Sequence, residues 1–210
     1  MPDFKWEDLK DKKVLGGRKG GMPEMVFEYI LRKNGLDPQK DLTIDQSIDF
    51  GYTAAAFTGD TSADFTVEFE PSATALEKEG AGYVVASLGV DSGYVPYTSY
   101  SAKTSYMEKN PEIIQKFTNA LQKGMEYVQS YTPEEIAKVI APQFAETDLD
   151  TVTAIVKRYY DQDTWKSNLI FEKESFELLE DILEDSGELS ERVSYEDLVT
   201  TKYAREAAEK

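Results

Sequence analysis

The chain has 210 residues, with 40 Asp and Glu against 23 Lys and Arg for a formal charge of −17, and it contains neither histidine nor cysteine. That charge repels phosphate backbones and anionic lipid surfaces, so nucleic acid is not expected as a partner. The two missing residue types remove thiolate nucleophiles, histidine and sulfur metal sites, and the Ser-His and Cys-His forms of nucleophilic catalysis.

Hydrophobic residues make up 40% of the chain, enough for a core. No stretch approaches the roughly 20 apolar residues of a membrane span, and the N-terminal residues lack the apolar segment of a secretory signal. Lys13 to Leu15 predicts a short strand that runs into glycines. Pro23 then fits the first helical position, Met25, Val26, Tyr29 and Ile30 form an apolar helical face, and Gly35 stops the helix. Leu42 to Ile48 predicts a second strand, Tyr52 to Phe57 a short helix, Asp64 to Glu70 a third strand, the next segment a helix closed by Gly80, and Gly82 to Leu88 a fourth strand. Such alternation implies right-handed crossovers and a mostly parallel sheet flanked by helices.

From Val95 the pattern changes. Val95 to Lys103 predicts one more strand, and the rest is helical. Asn110 and Pro111 open a helix with Ile113, Ile114, Phe117, Leu121 and Met125 inward, and Thr132 with Glu135 forms a capping box for the next. Two more follow, one with Leu149, Val152, Ile155, Val156 and Tyr159 on one side, the other with Phe176, Leu179, Ile182 and Leu183 and an end at Gly187. A last short helix begins after Ser194.

Two stretches carry chemistry. In "VLGGRKGGMPEM" a strand passes through glycines into a helix, which leaves backbone N–H groups at the positive end of a helix dipole. Arg18 and Lys19 add positive charge there, and a guanidinium holds a carboxylate, sulfonate or phosphate with two prongs. Neither G-x-x-x-x-G-K-[ST] nor G-x-G-x-x-G is present. The alternative is a tight turn with solubilising cations. In "DFTVEFEPSA" strand alternation sets Phe65, Val67 and Phe69 on one face and Thr66, Glu68 and Glu70 on the other, the two carboxylates ~7 Å apart. Both stretches fall at carboxyl ends of strands, the edge where open parallel sheets bind ligands. Here the alternative is a carboxylate that pairs with Arg18 and holds the turn. Tyr94, Tyr97, Tyr100 and Tyr106 crowd a third segment and suit either ring stacking or packing.

Three stretches, "WEDLKDKKVLGGRKGGMPEMVFEYILRKNGLDPQKDLT", "AAAFTGDTSADFTVEFEPSATALEKEG" and "KNPEIIQKFTNALQKGMEYV", resemble the substrate-binding proteins of bacterial ABC importers, in the NMT1/THI5-like group of sulfonate, nitrate and thiamine-precursor binders. In the second stretch, family members carry a G-x-x-D turn before the strand. The resemblance implies a type II periplasmic-binding-protein-like α/β fold, a mostly parallel sheet with flanking helices, in which two lobes close on a ligand. Residues 10–93 are expected to form a complete lobe two, the ligand-binding lobe. Residues 1–9 and 94–210 are expected to form the largely helical part of lobe one, whose first half is expected to be lacking. Phe117, Leu121, Ile155 and Phe176 would then pack on each other, on another chain, or stay partly exposed.

Carried over by position, the turn from Arg18 through Lys19, Gly20 and Gly21 to Met22 matches the lobe-two turn that meets the ligand. Glu68, Phe69 and Glu70 match the strand end that lines the cleft, and Asp91 to Gly93 the returning crossover. The implied function is non-catalytic capture of a small polar organic nutrient, delivered to an ABC permease, by an extracytoplasmic protein, periplasmic or lipoprotein-anchored, whose signal is not in this chain. Self-association through exposed lobe-one helices is a further expectation. Glu68 and Glu70 favour an amine-bearing or heteroaromatic compound, such as a thiamine pyrimidine, while Arg18 favours a sulfonate-type anion. No metal and no cofactor are expected. A ligand-sensing module with the same fold is the alternative. Eukaryotic relatives that make the thiamine pyrimidine use a histidine of their own chain, and this chain has none.

Overall fold

The computed structural model describes residues 3–59 and 62–209; Asp60 and Thr61, in the turn expected before the third strand, lie outside the described residues. The chain divides into two compact units, one of residues 1–94 with 180–190, the other of residues 95–179 with 191–210. Residues 1–9, expected with the helical part, thus group with the strands: Phe4, Trp6 and Leu9 pack into the core of the first unit.

The first unit is built on three parallel strands, β1 (Lys13–Leu15), β2 (Thr43–Asp45) and β3 (Phe65–Thr66), in the order β2-β1-β3. Lys13, Val14 and Leu15 face Thr43, Ile44 and Asp45, and on the other side Val14 and Leu15 face Phe65 and Thr66. After β1 the chain returns through α1 (Met22–Lys33), and α2 (Thr53–Gly59) follows β2. After β3 comes α3 (Ser72–Lys78), then α4 (Leu88–Ser92). Parallel pairing demands such returns, because each strand must start from the same edge. Leu9, Val14, Phe27, Leu31, Leu36, Leu42 and Val67 form the core that glues α1 to the sheet. Gly35 and Gly80 end their helices with φ of +78° and +71°, the left-handed conformation glycine adopts without strain.

The expected fourth and fifth strands do not form among the described residues. Residues 82–87 run extended but unladdered. Tyr83 is 76% exposed, and the Val84 N–H donates to the Glu77 carboxylate instead of to a neighbouring strand. An apolar run becomes a strand only where a partner edge is offered, and β3 ladders over two residues. Val95 to Lys103 is likewise irregular.

The second unit is helical: α5 (Thr104–Lys109), α6 (Pro111–Ser130), α7 (Pro133–Ile140), α8 (Leu149–Asp161), the first half of α9 (Lys173–Asp185), α10 (Tyr195–Leu198) and α11 (Lys202–Ala208). The capping box forms as the sequence suggests, with Thr132 and Glu135 exchanging side-chain to backbone hydrogen bonds of 3.0 and 3.3 Å. Ile136, Ala137, Val152 and Val156 lock α7 to α8. The buried side of α6 is only in part the expected one: Ile114, Leu121 and Met125 are half-buried. Ile113 and Phe117 are 53% and 46% exposed, whereas Gln122 is buried and donates to the Ser167 carbonyl, and Gln115 donates to that of Tyr203. Further along α6, Tyr127 and Val128 pack against the α7–α8 core, and Phe117 meets the Tyr100 ring edge-to-face at 5.0 Å. Phe171, Phe176 and Tyr195 form an edge-to-face aromatic cluster in the same unit.

Candidate functional site

Because all three strands are parallel, the segments that follow them gather at one carboxyl edge of the sheet. The glycine turn follows β1, the segment from Gln46 to Phe50 follows β2, and Val67 to Glu70 follow β3. The two stretches singled out by sequence therefore share one rim.

The turn is held internally. The Gly16 N–H donates to the Asp45 carbonyl at 3.0 Å and the Gly21 N–H to the Arg18 carbonyl at 3.1 Å. Gly17 and Gly20 have φ of +76° and +71°, which explains glycine at both. Gly17 also explains itself sterically. A Cβ there would lie 2.2 Å from Cζ of Phe50, and one at Gly21 would lie 3.2 Å from Cε2 of the same ring. The close approach these glycines permit is thus taken up by the protein's own Phe50, not left open for a ligand. What remains open is the tip: Arg18 and Lys19 are exposed, and their side chains have no hydrogen bond or ion pair among the described residues. The backbone N–H groups of Gly17, Arg18 and Lys19 are also unpaired among those residues. Gly20 and Met22 are half-buried.

On the neighbouring strand, Phe69 packs its ring edge-to-face on Phe50 at 5.5 Å and is 40% exposed. Glu68 is half-buried and accepts a 2.8 Å hydrogen bond from the Thr66 hydroxyl. Burial raises its carboxyl above the usual range, with the hydroxyls of Thr66 and Thr53 opposing the rise. Neither Glu68 nor Glu70 forms an ion pair with Arg18. Glu70 instead receives the Thr74 N–H and hydroxyl, each at 3.0 Å, and so caps α3. Asp91 accepts a 3.2 Å hydrogen bond from the Trp6 indole, and its carbonyl accepts one of 3.0 Å from Lys33. Lys33 ends α1, which places Asp91 toward the end of that helix remote from the glycine turn. A shallow hollow of about 390 Å³, lined by Arg32, Gly35, Leu36, Asp37 and Pro38, lies at that same end.

Sequence reasoning missed the layer beneath the turn. Glu24 and Glu28 on α1 are 2% and 6% exposed. The Gly20 N–H donates to Glu24 at 3.2 Å, and the Gln46 amide donates to both acids, at 2.6 and 3.2 Å. Glu28 also pairs with Arg32. Burial, together with the hydrogen bond and charge of Glu28, lifts the Glu24 carboxyl from 4.5 to about 7, against the pull of Gly20 and Gln46. The i, i+4, i+8 spacing of Glu24, Glu28 and Arg32 was visible as one helical face, but nothing in the sequence said that the face is covered. From the distal side, Glu188 lies against Gly20, its carboxylate oxygen 3.0 Å from where a Cβ would stand. The Ser186 hydroxyl meets the Met25 sulfur at 3.1 Å. Among the described residues no group of acids is arranged to hold a metal ion, and no helix is long and apolar enough to cross a membrane.

Comparison with known proteins agrees with this picture of the fold. Residues 5–136 match the sequence family described as NMT1/THI5 like. Over 201 residues the chain is 41% identical to the Bacillus subtilis (strain 168) protein named "Putative binding protein YtlA", an alignment that covers 96% of this chain and 60% of that protein. The chain therefore spans about three fifths of the length of the curated relative it matches. A solved structure from Bordetella bronchiseptica RB50 superimposes with a TM-score of 0.62 over 99% of this chain and 67% of that one, at 19% identity. At that identity the likeness concerns the fold, a periplasmic-binding-protein-like α/β arrangement.

Proposed function

Since the chain belongs to the NMT1/THI5-like family, we propose that it is the non-catalytic solute-binding component of an ABC import system, working outside the cytoplasm beside a membrane permease. The observation that carries the reading is the carboxyl rim of the sheet, where Arg18 and Lys19 stand exposed and without a side-chain partner among the described residues while Glu68 and Phe69 lie at the end of the adjacent strand. A partly exposed ring beside a half-buried carboxylate suits a flat, amine-bearing heteroaromatic compound: Phe69 offers a stacking face and Glu68 a hydrogen-bond acceptor. Arg18 and Lys19 add a contact for an anionic or carbonyl substituent on the same molecule. Within this reading Lys19, Gly20, Gly21 and Met22 contribute backbone and position, whereas Glu70 and Asp91 hold α3 and α4 rather than the solute.

A capture role also fits the chemistry that is lacking. The chain has no histidine or cysteine. The test is a thermal-shift panel of pyrimidines, sulfonates, nitrate and polyamines on the full-length protein. An aminopyrimidine-type compound is expected to raise the melting temperature more than the simple anions do. A panel in which nothing raises it contradicts the reading.

A further inference from the structure

Beneath the glycine turn lies a charge imbalance. Glu24 and Glu28 are both buried on α1 and bridged by the one Gln46 amide, and the cation in contact with the pair is Arg32, on Glu28. The groups around Glu24 come from every neighbouring element. α1 supplies Glu28 and Arg32. The turn supplies the Gly20 N–H, and its Arg18 and Lys19 are exposed. The segment after β2 supplies Gln46, with Asp45 already accepting from Ser47. The segment after α9 supplies Glu188 against Gly20. Two buried carboxylates with one guanidinium leave an excess negative charge in a dry site, which a single proton between the acids removes.

We propose that Glu24 is a positioning residue for the ligand-binding turn, and that its protonation state controls how firmly Gly20, and with it the Arg18–Lys19 tip, is held. With the proton in place, Glu24 and Glu28 share a hydrogen bond, Gln46 ties both to the end of β2, and the remaining oxygen of Glu24 receives Gly20. Without it Glu24 becomes a charged and stronger acceptor for the Gly20 N–H, which is why that hydrogen bond opposes the rise of its pKa, while Gln46 and Arg32 offset the repulsion between the two acids. The elevation of Glu24 to about 7 accords with this geometry. Gly20 is then held more firmly, and solute affinity at the rim rises, as pH rises through neutrality. That last consequence rests on the function proposed above, whereas the latch itself does not.

The latch is tested without ligand, by following the Gly20 amide in ¹H–¹⁵N spectra of the full-length protein from about pH 5 to about pH 9, the range that brackets a carboxyl shifted to neutrality. The wild type is expected to titrate with a midpoint near 7. Glu24→Gln, which cannot ionise and keeps one acceptor oxygen for the Gly20 N–H, is expected to show no such transition. Glu28→Gln removes the repelling acid and is expected to move the midpoint down. A wild-type Gly20 amide that is flat across the range, a Glu24→Gln protein that keeps the wild-type transition, or an unmoved midpoint in Glu28→Gln overturns the proposal. A failed ligand panel with an intact Gly20 titration would refute the capture role and leave the latch standing.

Discussion

The ring of Phe50 lies on the α-carbon of Gly17, so close that a methyl group on that carbon would stand 2.2 Å from Cζ. The contact seals the inner side of the glycine turn and directs its cationic tip outward. Gly17→Ala must therefore both overcome a left-handed φ of +76° and displace an aromatic ring, at a combined cost of ~2–4 kcal/mol. Gly35 has nearly the same φ, +78°, with nothing within 4 Å of the added carbon, and Gly35→Ala should cost only ~1 kcal/mol. Urea unfolding of the two variants separates the steric part from the conformational one. Equal losses would mean that Phe50 does not rest on the turn.

Arg18 and Glu68 are expected to matter for solute and little for folding. Arg18 is exposed without a partner among the described residues, and Glu68 has its burial as a liability rather than a support. Arg18→Ala and Glu68→Ala should each weaken binding of the best panel compound by roughly 10- to 100-fold, the worth of one charged hydrogen bond. Both variants should unfold within ~1 kcal/mol of wild type. Titration calorimetry with matched denaturation curves checks this.

Glu70 should behave in the opposite way. Its carboxylate receives two hydrogen bonds from Thr74 at the start of α3. Glu70→Ala should lower stability by about 1 kcal/mol, as loss of a helix cap does, and leave solute affinity within twofold. A large loss of affinity without loss of stability would return Glu70 to the site.

Glu24 also imposes a pH dependence on stability. Its carboxyl ionises near 4.5 in the unfolded chain and near about 7 in the folded one. Between these values the folded protein holds a proton that the unfolded chain has released. The contribution of this group is therefore full below 4.5, declines as pH rises to about 7, and is constant above. Since Glu24→Gln has no proton to lose, its melting temperature should gain on that of wild type as pH rises across that window. Scans at several pH values measure the difference directly, and a difference that is independent of pH contradicts the assignment.

The helical unit offers a control for packing. Ile136 is 2% exposed in the α7–α8 core, while Phe117 on α6 is 46% exposed. Ile136→Ala should cost ~2–5 kcal/mol, and Phe117→Ala under about 1 kcal/mol, as read from denaturant midpoints.

What the sequence revealed and what it hid follow the range of the forces involved. β1, α1, the capping box at Thr132 and the stops at Gly35, Gly80 and Gly187 were legible because caps, glycine conformations and helical periodicity act within a few residues. The run from Gly82 to Leu88 has strand character, but a strand is a relation between two segments, and no edge pairs with it among the described residues. The same limit hid the inward turn of Gln115 and Gln122 on α6, which is set by carbonyls at Tyr203 and Ser167, up to 88 residues away. At the rim, the glycines and Arg18 could be picked out, since their chemistry is local. Phe50 over Gly17, Gln46 between two acids and Glu188 against Gly20 could not, because each is brought there by a crossover or by the distant end of α9.

The most direct test of the account is to titrate the best panel compound into ¹⁵N-labelled full-length protein and map which backbone amides respond. The account predicts saturable shifts at Gly17 to Met22 together with Glu68 and Phe69, with the Arg18→Ala protein losing both sets at once. Shifts confined to the hollow at Arg32 to Pro38, or a glycine turn that does not respond at saturation, would contradict it.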